Sequence, residues 1–210
     1  CIRDRLRIMK KEGLLCTKFK TRSRKYSSYK GQVGKIAPNI VNRDFKANRP
    51  NQLWLTDVTE FRIKGYEQRL YLSPILDVYN GEIISYTLSH NPTIKLTNTM
   101  LEKATKRIEE DDHLVIHSDQ GFHYQHNSWS RRLKKLNIRQ SMSRKGNCLD
   151  NSPMENFFGI LKQEMYYGVD FNNYEQLRKE IESYIKWYNE DRIKTKLNGM
   201  SPIEYRLHSA

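Results

Sequence analysis

Gln52-Leu53-Trp54-Leu55-Thr56-Asp57 alternates apolar and polar residues as a half-buried strand does, and it closes on an acid. A second strand-like run, Leu114-Val115-Ile116-His117-Ser118-Asp119, ends on an acid too and stops at Gly121. A helical stretch from Asn151 to Tyr166 carries Glu155, which follows Asp119 with 35 residues between them. Two hard cations held roughly 3.5–4 Å apart need several oxygen ligands to serve both the attacking and the leaving oxygen of a phosphoryl transfer. A carboxylate at each of two strand ends and a third on a nearby helix supply them.

Outward from these runs, strands are predicted over about 52–63, 69–77 and 82–88, with Gly65 and the Asn80-Gly81 pair as turns; Asn-Gly is a strong hairpin signal. A helix over 94–110 carries the apolar stripe Leu96, Met100, Leu101, Ala104 and Ile108. A strand at 113–118, a helix at 126–136 and a short strand near Ile138 follow. Ser143 to Pro153 is polar and reads as a mobile loop. Helices are expected at 151–166 and 173–189, and Ser201-Pro202 opens a last short one. Strands first and then alternating helix and strand give an α/β fold, a mixed five-stranded sheet flanked by helices.

The chain has 210 residues and a net charge of +13. Residues 1–49 hold 15 Lys/Arg against three acids, a net of +12, so nearly all the excess precedes the first strand. The expected organisation is a terminal helix within 1–15 (Ile2, Leu6 and Met9 on one face, Gly13 at its end), a basic arm over 16–49, and a core over 50–210. Arg22, Arg24, Lys25 and Lys30, interleaved with Tyr26 and Tyr29, suit phosphates better than a membrane, which would ask for an apolar face. A solvated tail is the plain alternative. No run approaches 18 apolar residues, and Cys1, Cys16 and Cys148 form neither a disulfide framework nor a C-x-x-C metal pair, so a cytoplasmic setting is expected. The first residue is Cys1 rather than Met, and a piece of a longer protein is expected.

Each acid alone has a dull reading: Asp57 and Asp119 as turn formers, Glu155 as a solvated helix residue. The joint context favours a site. Met154, Phe157, Phe158, Leu161 and Met165 form the core stripe of the 151–166 helix, while Asn151, Glu155 and Lys162 share a neighbouring flank. Carboxylates without His or Cys favour Mg²⁺ or Mn²⁺. His117 projects from the same strand face as Asp119 and is either a supporting group near metal or phosphate, or a buried, hydrogen-bonded ring. Asp77 is a competing strand-end acid with no helix-borne partner. Lys162, Arg144, Lys145 and Asn147 are candidates for holding DNA. The stretch from Tyr188 to Pro202 is either a structural corner or another DNA contact.

Asn51 to Phe61, His117-Ser118-Asp119-Gln120-Gly121 and Gly146-Asn147-Cys148-Leu149-Asp150-Asn151-Ser152-Pro153-Met154-Glu155-Asn156-Phe157-Phe158, followed by Leu161-Lys162-Gln163-Glu164, closely resemble the OrfB-type transposases of bacterial insertion sequences, relatives of retroviral integrases. The resemblance implies a ribonuclease-H-like core with its Asp, Asp and Glu at Asp57, Asp119 and Glu155. It implies two Mg²⁺ (or Mn²⁺) ions per site, and cleavage and joining of transposon 3′ ends. It further implies a homo-oligomer on DNA, association with the bacterial nucleoid, and fusion to an upstream-frame partner. The helix at 2–13 looks like the end of the family's helix-turn-helix region. A non-catalytic occupant of transposon ends and a nuclease acting on RNA–DNA hybrids are two other readings.

Overall fold

Consecutive strand residues face opposite ways, and here both faces are covered. The computed structural model describes residues 2–15, 34–108 and 113–208. Leu53 and Leu55 of strand β1 (Leu53–Thr56) enter one core and Trp54 enters another. The first core is completed by Met154, Phe157 and Leu161 of α5 (Ser152–Leu161) and by Leu177, Ile181 and Ile185 of α6 (Tyr174–Glu190). The second is closed by Met100 and Leu101 of α2 (Ile94–Ala104), Tyr124 of α3 (Phe122–Gln125), and Trp129 and Leu133 of α4 (Asn127–Lys135). Each such side chain contributes about 1.5–3 kcal/mol by leaving water. The sheet is thus clamped from both sides, and its strand ends are held rigidly.

The single strand expected over 52–63 is two. β1 and β2 (Thr59–Phe61) pair antiparallel along one edge of β3 (Leu70–Asp77), Trp54 against Asp77 and Phe61 against Leu70. The break falls at Asp57-Val58, where the Val58 N–H donates to the Asp57 carboxylate at 2.7 Å. The sheet therefore has six strands rather than five. β4 (Ile83–Ser89) lies on the other side of β3, antiparallel, across the Asn80-Gly81 turn, where Gly81 takes φ +71°. β5 (Val115–Ser118) runs parallel to β1, and β6 (Arg139–Met142) parallel to β5.

Several helices differ from the periodicity-based reading. The α-helix expected to 110 ends at Ala104 and tightens into a 3₁₀ turn, Thr105–Arg107. The one expected over 126–136 is preceded by the separate turn α3. His126 divides the two because its ring Nδ1 accepts from the Ser128 N–H and caps α4. The helix after Asn151 does reach Tyr166, but its last turn, Lys162–Tyr166, is a wide π turn. The short last helix α7 (Pro202–His208) starts as expected: Ser201 and Glu204 exchange backbone N–H bonds as a capping box. The Tyr188–Asn189 stretch is a structural corner. Tyr188 is buried, and the Asn189 amide both donates to and accepts from the backbone of Ile83.

Helix α1 (Ile2–Lys11) precedes a stretch, 16–33, that lies outside the described residues. From Gly34 the chain packs onto the core. The Ile40 and Val41 N–H groups both donate to Ser141 Oγ, Met142 N–H donates to the Pro38 carbonyl, and the Val41 side chain is buried.

Candidate active site

β1 and β5 are adjacent and parallel, with Leu55 opposite His117. Continued two residues, that register leads to Asp57 and Asp119, just beyond the carboxyl ends of neighbouring strands and near enough for the charge of Asp119 to act on Asp57. Crevices outside such strand ends are where open α/β sheets place their ligands. Glu155 lies in the first turn of α5. The start of that helix is pinned to the end of β1 by Asn151, a buried residue whose Nδ2 donates to the Thr56 carbonyl at 3.3 Å. The Asn151 Oδ1 is buried with no partner among the described residues.

The electrostatics match that placement. Burial pushes the Asp57 carboxyl well above the ordinary carboxylate range, and the negative charge of Asp119 and then of Glu155 push it further; the Val58 N–H and the Lys162 ammonium only partly oppose this. Asp119 is raised by burial against the Gly121 N–H that it accepts at 2.8 Å, and Glu155 is raised by burial. A Cβ on residue 121 would stand 2.8 Å from Asp119 Oδ1, so glycine is what lets that carboxylate fold back onto the chain. Tyr124 lies beneath the pair. Its buried phenol is pushed up by burial and by the charges of Asp57 and Asp119, and its OH lies 3.2 Å from Thr56 Oγ1.

Among the described residues, no three His, Cys, Asp or Glu side chains are gathered closely enough to enclose a metal ion. Asp57 and Asp119 each have one oxygen turned onto a local backbone N–H. The donor set still fits a hard divalent cation. It consists of carboxylates whose negative charge is disfavoured by burial, and in Asp57 also by its acidic neighbours.

The other residues singled out from the sequence fall as follows. Lys162 Nζ donates to Thr59 Oγ1 at 2.6 Å and to the Glu60 carbonyl at 3.0 Å, and sits 5.0 Å from the Phe61 ring centroid, so it bridges α5 to β2. His117 is fully buried between Ser141 Oγ (2.8 Å) and Ser143 Oγ (3.1 Å), and burial pushes its pKa down. The hydrogen-bonded reading of His117 is the one realised. Arg144 is turned onto Asp150, while Lys145 is exposed and the Asn147 N–H donates to the Arg144 carbonyl. Arg22, Arg24, Lys25 and Lys30 lie outside the described residues. Asp77 is fully buried and paired with Arg206 at 2.9 Å. It stands opposite Trp54, near the other end of β1 from Asp57.

Asp150 and Tyr124 were not singled out from the sequence. The loop expected to be mobile over 143–153 is fastened by Asp150. This fully buried carboxylate accepts from Arg43 Nε (2.7 Å), Asn39 Nδ2 (3.3 Å) and Arg144 at its backbone N, Nε and second terminal nitrogen (2.9, 2.9 and 2.8 Å). Two of its partners are more than 100 positions away in sequence, where no local pattern signals them.

Comparison with known proteins agrees with this geometry. Residues 47–148 and 155–209 each match an Integrase core domain family. The chain is 48% identical over 194 residues to the putative transposase for insertion sequence element IS150 of Escherichia coli K12, covering 92% of this chain and 68% of that protein. It is 50% identical over 203 residues to a transposase-like protein of Haemophilus influenzae, covering 97% of this chain and 91% of that one. In fold it is similar to the HTLV-2 integrase catalytic core domain solved in complex with magnesium, at a TM-score of 0.60 and 17% identity, over 77% of this chain and 99% of that one. A chain of the simian T-cell lymphotropic virus intasome gives a TM-score of 0.63 at 17% identity, over 85% of this chain and 60% of that one. The sheet and its flanking helices are thus the ribonuclease-H-like fold of integrase cores.

Proposed function

We propose that this chain, which belongs to the insertion-sequence transposases built on an integrase core domain, cleaves DNA at transposon 3′ ends and joins those ends to target DNA. The observation that carries the reading is the register of β1 and β5. It brings Asp57 and Asp119 to neighbouring strand ends, where α5 presents Glu155. These three carboxylates would hold Mg²⁺ or Mn²⁺, two ions per site. When bound, such ions lower the pKa of an attacking water or DNA 3′-hydroxyl and offset charge on the leaving oxygen.

The chain's own residues orient and retain the strand. Lys162, two helical turns beyond Glu155 and first in the π turn that follows α5, places its ammonium beside β2, where it can meet a phosphate passing the acids. Lys145, Asn147 and the exposed half of Arg144 offer further polar contacts on the loop before α5. Arg22, Arg24, Lys25 and Lys30 supply a phosphate-neutralising arm, in keeping with the charge excess of residues 1–49. Asn151 and His117 act as supports: one pins α5 to β1, the other ties β5 to β6 through the two serines. Processing two transposon ends favours at least two copies of the site, hence a homo-oligomer on DNA. The family resemblance adds a nucleoid setting and fusion to an upstream-frame, DNA-binding partner. No helix among the described residues is long and apolar enough to cross a membrane.

The test is a supercoiled-target assay scored for joined product with Mg²⁺ present. Asp57→Asn, Asp119→Asn and Glu155→Gln should each abolish joining while DNA retention stays near wild type. Normal joining by any one of them would falsify the site assignment.

A further inference from the structure

The loop that ends at Asn151 sets where α5, and with it Glu155, begins. That loop is held from outside the catalytic core's strands. Asp150 gathers the Arg43 and Arg144 guanidinium groups, the Asn39 amide and the Arg144 backbone N–H around one fully buried carboxylate. Both arginines bind through charge-assisted bonds in a site closed to water on the carboxylate's side, where such bonds are at their strongest. Arg43 and Asn39 belong to the segment that follows the basic arm, and Ser141 fixes the same segment by accepting from Ile40 and Val41. Asp150 is followed directly by Asn151, the residue that anchors α5 to β1. Two anchors therefore act in series: segment 39–43 to Asp150, then Asn151 to the Thr56 carbonyl next to Asp57.

We propose that Asp150 is a positioning residue for the catalytic acids: through Arg43 and Arg144 it makes the placement of Glu155 depend on chain segment 39–43, docked outside the core strands. This rests on the reading of Asp57, Asp119 and Glu155 as the reacting centre. Its role is indirect, because the carboxylate is taken up by donors from Asn39, Arg43 and Arg144. Truncating groups that hold metal ligands in place typically weakens metal affinity or activity about 10- to 100-fold.

The experiment uses the full chain and compares Arg43→Ala, Arg43→Lys and Asp150→Asn with wild type. Arg43 is half-exposed, so its truncation leaves the cores intact, and an unchanged far-ultraviolet circular dichroism spectrum checks this. Three quantities are read: Mn²⁺ affinity by calorimetry, amide hydrogen exchange over 144–156, and the single-turnover joining rate. Arg43→Ala and Asp150→Asn should weaken Mn²⁺ binding about tenfold, raise exchange across 144–156 and slow joining by a similar factor, with DNA affinity near wild type. Arg43→Lys should recover most of each loss, because it keeps the positive charge beside Asp150. Unchanged exchange in both disabling variants would overturn the proposal. So would faster exchange with wild-type Mn²⁺ affinity, because the loop would then move without disturbing the acids. Should wild type itself join no DNA, the functional reading falls, while exchange and Mn²⁺ affinity still decide the role of Asp150.

Discussion

Acids of opposite character flank β1 and the start of α5. Asp150 and Asp77 are fully buried and answered by arginines: Asp150 by Arg43 and Arg144, and Asp77 by Arg206 together with the N–H groups of Asn51 and Tyr79. The guanidinium of Arg144, with Arg43, holds the Asp150 carboxyl well below the usual range. Asp57 and Asp119 are pushed the other way, and burial raises Asp77 as well in spite of its partners. Burial raises Asp57 and Asp119, acidic neighbours raise Asp57 further, and the Lys162 ammonium opposes this only weakly. A chain that neutralises its structural acids so fully has the means to neutralise these two and does not. The difference separates acids paired with arginine from acids whose partners are local backbone N–H groups.

The comparison breaks most visibly in stability. Asp77→Ala takes away the acceptor of the Asn51 and Tyr79 N–H groups and one of the two carboxylates paired with Arg206, Glu82 being the other, and should cost about 1–3 kcal/mol of unfolding free energy. Asp57→Asn, measured in EDTA, should fall within about 1 kcal/mol of wild type and on the stabilising side, because it removes a repelled charge. Chemical denaturation of both variants checks this, and equal losses would erase the distinction. Adding Mn²⁺ at a hundredfold excess over its Kd should then stabilise wild type by about 2.7 kcal/mol and leave Asp57→Asn nearly unmoved.

A smaller effect lies in the pH dependence. A carboxyl whose folded pKa is raised opposes folding once the unfolded chain ionises, above its ordinary 3.8. Without divalent cations, wild type should therefore lose stability relative to Asp57→Asn as pH climbs from about 4 toward neutrality. Asp150 has the reverse sign: its stabilisation is full above the ordinary 3.8 and drains away only as pH falls below it. Urea midpoints across pH 3 to 7 would expose either sign if wrong.

The smallest effect concerns phosphate contacts. Replacing Arg22, Arg24, Lys25 and Lys30 together with alanine should flatten the log–log salt dependence of DNA binding by up to about 3.6, while Lys145→Ala alone should change it by about 1. Fluorescence anisotropy over a salt series reads both. A slope untouched by the fourfold change would return those residues to the status of a solvated tail.

What could be read in advance follows from how local the cause is. Asp57 and Asp119 were legible because a strand-like apolar run ends on each, though both strands prove buried throughout rather than half-buried, and Asn80-Gly81 because φ > 0 in a tight hairpin selects those residues. The break at Val58 was hidden, since Phe61 and Ile63 prolong the apolar alternation while the backbone leaves the ladder at a side-chain bond. The wide turn at Lys162–Tyr166 was equally silent, because one extra residue per turn barely disturbs an apolar stripe. Asp150 read as one more loop acid because its cations come from Arg43, 107 positions earlier, and from Arg144, whose charge suggested a DNA contact instead.

At Gly34 the backbone passes so near α3 that a Cβ there would lie 2.1 Å from the Gln125 carbonyl oxygen. Gln125 in turn donates its side-chain amide to the Gln120 carbonyl, next door to Asp119. The chain that re-enters at Gly34 is thereby moored against α3, one hydrogen bond away from the residue that follows Asp119. Any side chain added at position 34 would press on that link, so the backbone there has no room to carry one.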